Sequence, residues 1–175
     1  SLQANSININ YFINGGRMLV QVQNDLNLFL KAIRIKNNSM NPQMWDESSL
    51  TKSAFDQVYD QYLPFLVYED QKIMGGFLLL EQDFSYWNSI DNQDSCFYIH
   101  KLFILPEFNG QGYTTKIMNW IKIYAKQHCK TYLRLDCRQN NPKLNSLYEK
   151  EAFLIKRSMI SPLSGPMNLR EYKIK

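Results

Sequence analysis

Asn109-Gly110-Gln111-Gly112-Tyr113-Thr114 stands between an apolar, strand-like run (Ile99, Leu102, Phe103, Ile104) and a run of helical periodicity reaching Lys126. A strand that feeds a glycine turn opening a helix leaves several backbone N–H groups without partners and aims them at one point. The positive end of the helix dipole points the same way. The ligand that suits such a place is an anion, above all a phosphate. Glycine lets the backbone come close to it with no Cβ in between. A short G-x-G is also a common tight turn, so these residues alone leave both readings open. The dinucleotide fingerprint G-x-G-x-x-G, with Asp136 as its acid on the next strand, fails at the third glycine, where Thr115 stands. The glycines also follow residue 100, whereas that fingerprint opens the first strand-helix-strand unit.

A second extended run, TYLRLDC at 131–137, comes next, then Arg138-Gln139-Asn140-Asn141-Pro142 and the segment LNSLYEKEAF at 144–153. Residues 98–160 together resemble the acetyl-CoA-dependent N-acetyltransferases of the GNAT superfamily. In that family a strand ends in a turn of pattern Gln/Arg-x-x-Gly-x-Gly/Ala, whose amides hold the CoA pyrophosphate. A second strand follows, then an Asn, and seven residues later a Tyr in a segment like LYEK-x-GF. Asn141 and Tyr148 have that spacing. The sequence departs from the pattern with Asn109 in place of Gln or Arg, Thr114 in place of Gly or Ala, and Ala152 in place of Gly. The C-terminal 80 or so residues carry the likeness and the first 60 match poorly.

The resemblance implies a single GNAT-like domain over residues 1–175, with 1–16 a candidate N-terminal extension. Its fold would be α/β (α+β): a central, mostly antiparallel sheet with one parallel, splayed strand pair and helices on both faces. It implies transfer of an acetyl group from acetyl-CoA to a primary amine of a small molecule or peptide. CoA would be held by Phe103, Ile104, Asn109, Gly110, Gln111, Gly112, Tyr113, Thr114, Thr115 and Asn141, with Phe103 and Ile104 pairing with the pantetheine through their main chains. Acetyl transfer makes three demands: the amine must lose a proton, the oxyanion must be stabilised and the thiolate must gain a proton. Tyr148 is the expected acid. Asn141, followed by Pro142, also reads as a plain helix N-cap, and the two roles are compatible. For the base, His100, Glu69, Glu81, Asp136 and a water chain stay open. Tyr86 and Trp87, or Trp45, could wall the acceptor pocket or simply cover the core. A non-catalytic acyl-CoA-binding module on the same fold is the alternative.

The elements that must position these groups are legible from periodicity. Asn14-Gly15-Gly16 separates two extended runs, the first with Ile7, Ile9 and Tyr11 and the second with Val20 and Val22. Asn24-Asp25 caps a helix with Leu26, Phe29, Leu30 and Ile33 on one face. A polar loop is expected over 37–45, and Ser48-Ser49 as the cap of a helix carrying Leu50, Ala54, Val58 and Tyr62. Residues 65–68 and 73–80 form a hairpin around Glu69-Asp70-Gln71-Lys72. Residues 83–95 form a loop. Strand, glycine turn, helix and strand then fill 98–137, a crossover that forces a parallel pair. A helix after Pro142 and two strands end the chain.

Composition bounds the rest. The chain has 175 residues, 45% of them hydrophobic, enough for a full core without disulfides or metal. The net charge of +4 suits an anionic ligand and equally a generic surface, and no basic stripe argues for nucleic acid. Cys96, Cys129 and Cys137 have no framework spacing and read as reduced thiols of a cytoplasmic protein. His100 and His128 make no metal site with them, so no metal is expected. No membrane partner is expected either, and the family likeness leaves room for a homodimer.

Overall fold

Side-chain caps decide where the first helices begin. Asp25 accepts from the Asn27 amide at 2.9 Å and starts α1 (Leu26–Asn38), which buries Leu26, Phe29, Leu30 and Ile33. α1 continues through Asn37, where composition suggests a loop. The Asn37 side chain is fully buried and exchanges two hydrogen bonds with the Trp45 backbone, so it ties the last turn of the helix to the far end of the loop. α2 (Lys52–Val58) is capped by Thr51, whose hydroxyl accepts from the Ala54 amide at 3.1 Å. Ser48 and Ser49, the expected caps, lie instead in a 3-10 turn, where the Ser49 hydroxyl donates to the Asp46 carbonyl. Starting later, α2 leaves Val58 exposed and Tyr62 beyond its end.

The computed structural model describes residues 11–13, 16–87 and 95–175. Ile7 and Ile9 of the first extended run, the Asn14-Gly15 turn and loop residues 88–94 lie outside the described residues. The chain forms two compact units. One comprises residues up to Leu80 with Lys101–Tyr113, the other Glu81–His100 with Thr114–Lys175.

In the first unit β1 (Tyr11–Ile13), β2 (Gly16–Val22), β3 (Leu63–Glu69) and β4 (Lys72–Leu80) lie side by side in chain order, each antiparallel to the one before. The β3/β4 hairpin turns on Asp70 (φ 46°) and Gln71 (φ 73°), two consecutive left-handed residues as a tight hairpin with matching twist requires. The later half of β5 (Cys96–Ile104) follows β4 in this order. α1 packs on β3 and β4, where the Phe29 ring meets Phe55 and Phe103 edge-on and Phe65 stacks on Phe77 at 4.8 Å.

In the second unit the order is β5, β6 (Tyr132–Arg138), β8 (Gly165–Lys173) and β7 (Leu154–Ser161). β6 is parallel to β5 and antiparallel to β8. Among the described residues this parallel pair and four helices make the fold a mixed α/β sheet of the expected class. α3 (Tyr113–Gln127) supplies the crossover, burying Ile117, Met118, Ile121, Tyr124 and Ala125 at helical spacing, and α4 (Pro142–Lys150) follows β6. The β5/β6 ladder registers Cys96, Phe97 and Tyr98 against Tyr132, Leu133 and Arg134 and goes no further within this unit. β6 itself runs on to Arg138 in full register with β8. Trp87 is fully buried, with the Arg134 guanidinium 4.5 Å from its ring centroid, so it is core and does not wall a pocket. Among the described residues no helix is long and apolar enough to cross a membrane.

Candidate active site

In the first unit the turn has the geometry that its glycines suggest. Pro106–Phe108 forms a 3-10 turn, after which Gly110 (φ 72°) and Gly112 (φ 79°) both take the left-handed conformation that favours glycine. No atom lies within 4 Å of where either residue would carry a Cβ, so space is open in front of the turn. Among the described residues, the amides of Gly110, Gln111 and Gly112 make no backbone hydrogen bond. Side chains brace the turn from behind: Gln111 donates to the Glu107 carbonyl at 3.1 Å and Lys36 to the Asn109 side chain at 3.0 Å. The Tyr113 hydroxyl donates to Glu69 at 2.5 Å, and burial followed by that bond pushes the phenol up to about 12. Glu69 is thereby an anchor for the first residue of α3. Sequence reasoning left it among the bases, because nothing local in the sequence couples residues 69 and 113.

Of the two expected main-chain partners on β5, Phe103 turns its carbonyl toward β4. A Cβ on Gly75 would lie 2.2 Å from the Phe103 carbonyl oxygen, and the Leu105 amide donates to the Met74 carbonyl at 2.7 Å. Strand alternation turns the N–H and C=O of Ile104 the other way. Phe103 keeps an ordinary core side chain, buried against Phe29. Trp45 is half-buried, with the Lys101 ammonium 5.7 Å from its ring centroid.

In the second unit Thr114 is half-buried and Thr115 exposed at the start of α3. Asn141 is the N-cap of α4: its Oδ1 accepts from the Leu144 amide at 3.1 Å, and its Nδ2 donates to no described residue. Asn145, which sequence reasoning did not single out, holds this cap in place. It donates to the carbonyls of Arg138 and Asn141, both at 2.9 Å, and its Oδ1 accepts from Asn168, Arg170 and the Cys137 thiol. Only an Asn four residues after a cap could have signalled it. Tyr148 is 7% exposed, and its hydroxyl bonds to no described residue. Burial first, then the neighbouring Cys137 and Asp136, push its phenol well above the usual range, so it remains a protonated donor at neutral pH.

Beside it lies a chain of ionisable groups that the sequence did not join. His100 Nε2 is 2.7 Å from Asp83 Oδ2, and its Nδ1 is 4.0 Å from Asp136 Oδ2. The Asp83 side chain is only 2% exposed. Burial pushes its carboxyl up, but the hydrogen bond and charge of His100 and the Ser85 and Tyr86 amides outweigh that and hold it below the ordinary carboxylate value. The three side chains offer ligand atoms within 4.8 Å of one another, a spacing compatible with a cation. With Nε2 at hydrogen-bond distance from Asp83, the described contacts form a carboxylate–imidazole–carboxylate chain. Glu81 pairs with Lys130 at 3.3 Å, and the Tyr86 carbonyl accepts from Arg157.

Solved acetyltransferases share this fold. An aminoglycoside acetyltransferase AAC(6')-Ib bound to coenzyme A and kanamycin superposes with a TM-score of 0.69 at 14% identity, over 89% of this chain and 94% of that one. The ribosomal-protein-S18-alanine N-acetyltransferase of Escherichia coli gives 0.64 at 14% identity, over 90% and 94%. A mutant form of the spermidine/spermine N-acetyltransferase SpeG of Vibrio cholerae gives 0.59 at 16% identity, over 89% and 94%. Identities this low speak for the fold alone. The model of the acetyltransferase (GNAT) family matches residues 30–153, so the chain belongs to the GNAT family. A curated relative, the uncharacterized N-acetyltransferase YesJ of Bacillus subtilis (strain 168), is 27% identical over 93 residues. That match spans 51% of this chain and about half the length of the relative, 51%.

Proposed function

We propose that this chain is an acetyl-CoA-dependent N-acetyltransferase that moves the acetyl group to a primary amine of a small molecule or peptide. The observation that carries the reading is the turn at 110–112: two left-handed glycines, amides with no backbone partner, and open space in front of them at the start of α3. Such amides bind the pyrophosphate of CoA by direct hydrogen bonding and by the dipole field. Asn109, Gln111, Tyr113, Thr114 and Thr115 complete that cradle. The main chain of Ile104 takes a pantetheine amide as an added strand would, and the family resemblance gives Asn141 as a further CoA-binding residue. Coenzyme A in the aminoglycoside acetyltransferase structure supports the cofactor, and kanamycin there supports a small amine as acceptor. The family match runs through residues of both units, which supports one transferase domain over the chain. Three free cysteines, two of them buried, support a reducing, cytoplasmic setting.

In the reaction the amine nitrogen attacks the thioester carbonyl and the C–N bond forms. The C–S bond then breaks, the sulfur takes the proton of the Tyr148 hydroxyl, and the proton shed by the amine nitrogen restores Tyr148 through water. A phenol pushed up by burial is a weak acid in the ground state, and it donates as the thiolate charge develops in the same dry surroundings. Tyr148 therefore acts in the transition state. The test is thiol release from acetyl-CoA across a panel of amines and short peptides, with wild type and Tyr148→Phe side by side. We expect wild-type turnover on at least one amine, and a variant whose kcat falls roughly 10²-fold with acetyl-CoA affinity intact. A folded variant with wild-type kcat, chemistry being rate-limiting, returns Tyr148 to the core. Acetyl-CoA binding without turnover on any amine selects a non-catalytic acyl-CoA-binding module.

A further inference from the structure

From the geometry of the first unit we infer that Glu69 and Tyr113 are a positioning pair for the cofactor: their hydrogen bond holds the turn at 110–112 in the shape that receives the pyrophosphate of acetyl-CoA. The inference rests on the N-acetyltransfer reading above and adds what fixes the cradle which that reading invokes.

The cradle cannot hold a shape by itself. Gly110 (φ 72°) and Gly112 (φ 79°) are left-handed, and among the described residues the amides of 110–112 make no backbone hydrogen bond. Glycine has more conformational freedom to lose than any other residue, so a loose turn of this composition would be ordered only at the expense of ligand affinity. Order must come from the two ends. At the leading end the Leu105 amide donates to the Met74 carbonyl at 2.7 Å, and Asn109 Oδ1 accepts from Lys36 at 3.0 Å. At the trailing end Gly112 is followed directly by Tyr113, which is 5% exposed. The Tyr113 ring meets Phe108 edge-on with centroids 5.8 Å apart, and its hydroxyl donates to Glu69 Oε1 at 2.5 Å.

Glu69 is a firm post for that bond. It is the last residue of β3 and registers with Met18 of β2 on one side and Lys72 of β4 on the other. The chain reverses immediately after it, through Asp70 and Gln71. The carboxylate therefore stands on backbone paired to two strands. A hydrogen bond to an ionised acceptor is about twice as strong as a neutral one. This one ties the first residue of α3 to the sheet, and with it the glycine just before. The brace also has a sign of its own. A carboxylate that merely stood near a phosphate site would oppose the ligand by charge, so removing it would strengthen binding. A carboxylate that braces the cradle does the reverse.

Four proteins test this: wild type, Tyr113→Phe, Glu69→Ala and Glu69→Gln, each checked for folding by its thermal midpoint. Two acetyl donors are compared, acetyl-CoA and acetyl-pantetheine, which lacks the pyrophosphate and the nucleotide. We expect Tyr113→Phe and Glu69→Ala to bind acetyl-CoA about tenfold more weakly by calorimetry. The ratio of kcat/KM for acetyl-CoA over acetyl-pantetheine should fall by the same factor, with the loss in the KM for acetyl-CoA more than in kcat. Glu69→Gln keeps a neutral acceptor in place and should stay within about threefold of wild type. Unchanged affinity in folded Tyr113→Phe overturns the inference. An equal loss with both donors also does, since the pair then supports the fold and not the cradle. Tighter binding in both Glu69 variants makes Glu69 a bystander charge, and Glu69→Gln no better than Glu69→Ala removes the hydrogen bond as the cause. Should Glu69→Ala fail to fold, Tyr113→Phe, which lacks a single oxygen, decides by the same ratio. If wild type binds acetyl-CoA without turnover, the affinities decide, with the same expected order. Failure of the underlying reading looks different: wild type itself then neither binds acetyl-CoA nor releases thiol with any amine.

Discussion

One asparagine carries two jobs that can be separated. Asn141 uses its Oδ1 to cap α4, while its Nδ2 donates to no described residue. Ser caps a helix about as well as Asn but brings no amide donor. We therefore expect Asn141→Ser to keep the thermal midpoint within a degree or two while acetyl-CoA affinity falls about tenfold, roughly 1.4 kcal/mol. Calorimetry on both proteins decides it. Equal affinities leave Asn141 as a cap alone. The contrast between Asn141 and His100 shows what a sequence reveals at this scale. The cap is a local arrangement, spelled by an Asn before a Pro, and it was readable. The hydrogen bond between Asp83 and His100 spans 17 residues and the approach of Asp136 another 36, so only the tertiary fold brings the three together. His100 was visible as a strand histidine. Its partners were not.

Elements were legible where a few neighbouring residues decide them and shifted where two signals compete. The β3/β4 hairpin and α4 fall where periodicity puts them. α2 begins later because Thr51 outcompetes the serines before it, and α1 runs longer because Asn37 finds its partners at Trp45. Trp87 could not be told from a pocket wall, since its cover is a cation on a distant strand. That cation, Arg134, holds β5, β6 and β8 together. Its Nε donates to Glu171 at 2.7 Å and its Nη1 to the Tyr98 hydroxyl at 2.9 Å, and its face lies on Trp87. The Arg134 side chain is 3% exposed and that of Glu171 14%, so the pair is barely screened. Removing one partner of such a pair leaves the other charge buried and costs about 3–5 kcal/mol. We expect Arg134→Ala to be destabilised by about that much in urea, with little change in slope. Arg134→Ala with Glu171→Ala together should lose less than the sum of the single changes. Additive losses would mean that the two side chains act separately.

For the whole molecule, the proposed cofactor is a ligand of the folded state only, so binding must appear as stability. At a concentration one hundred times its Kd, a ligand adds about 2.7 kcal/mol to folding. For a chain of this length each kcal/mol raises the midpoint by roughly 2–4 °C, which puts the expected rise at roughly 5–10 °C. The rise should continue with the logarithm of acetyl-CoA concentration. The net charge of +4 favours capture of a polyanion at low salt, so the rise should shrink as salt is added at fixed acetyl-CoA. Gly112→Val separates the turn from the rest of the chain. At φ 79° a β-branched residue is strained by about 1–3 kcal/mol, so the variant melts lower on its own. Its side chain also fills the space in which the backbone would meet a phosphate, where no protein atom lies within 4 Å. The informative quantity is therefore the shift with ligand and not the starting midpoint. We expect a clear rise for wild type and at most a small one for Gly112→Val at the same acetyl-CoA concentration, measured by scanning calorimetry. Equal shifts in the two proteins would move the cofactor away from the turn. No shift in wild type at millimolar acetyl-CoA would remove acetyl-CoA as the ligand of this fold.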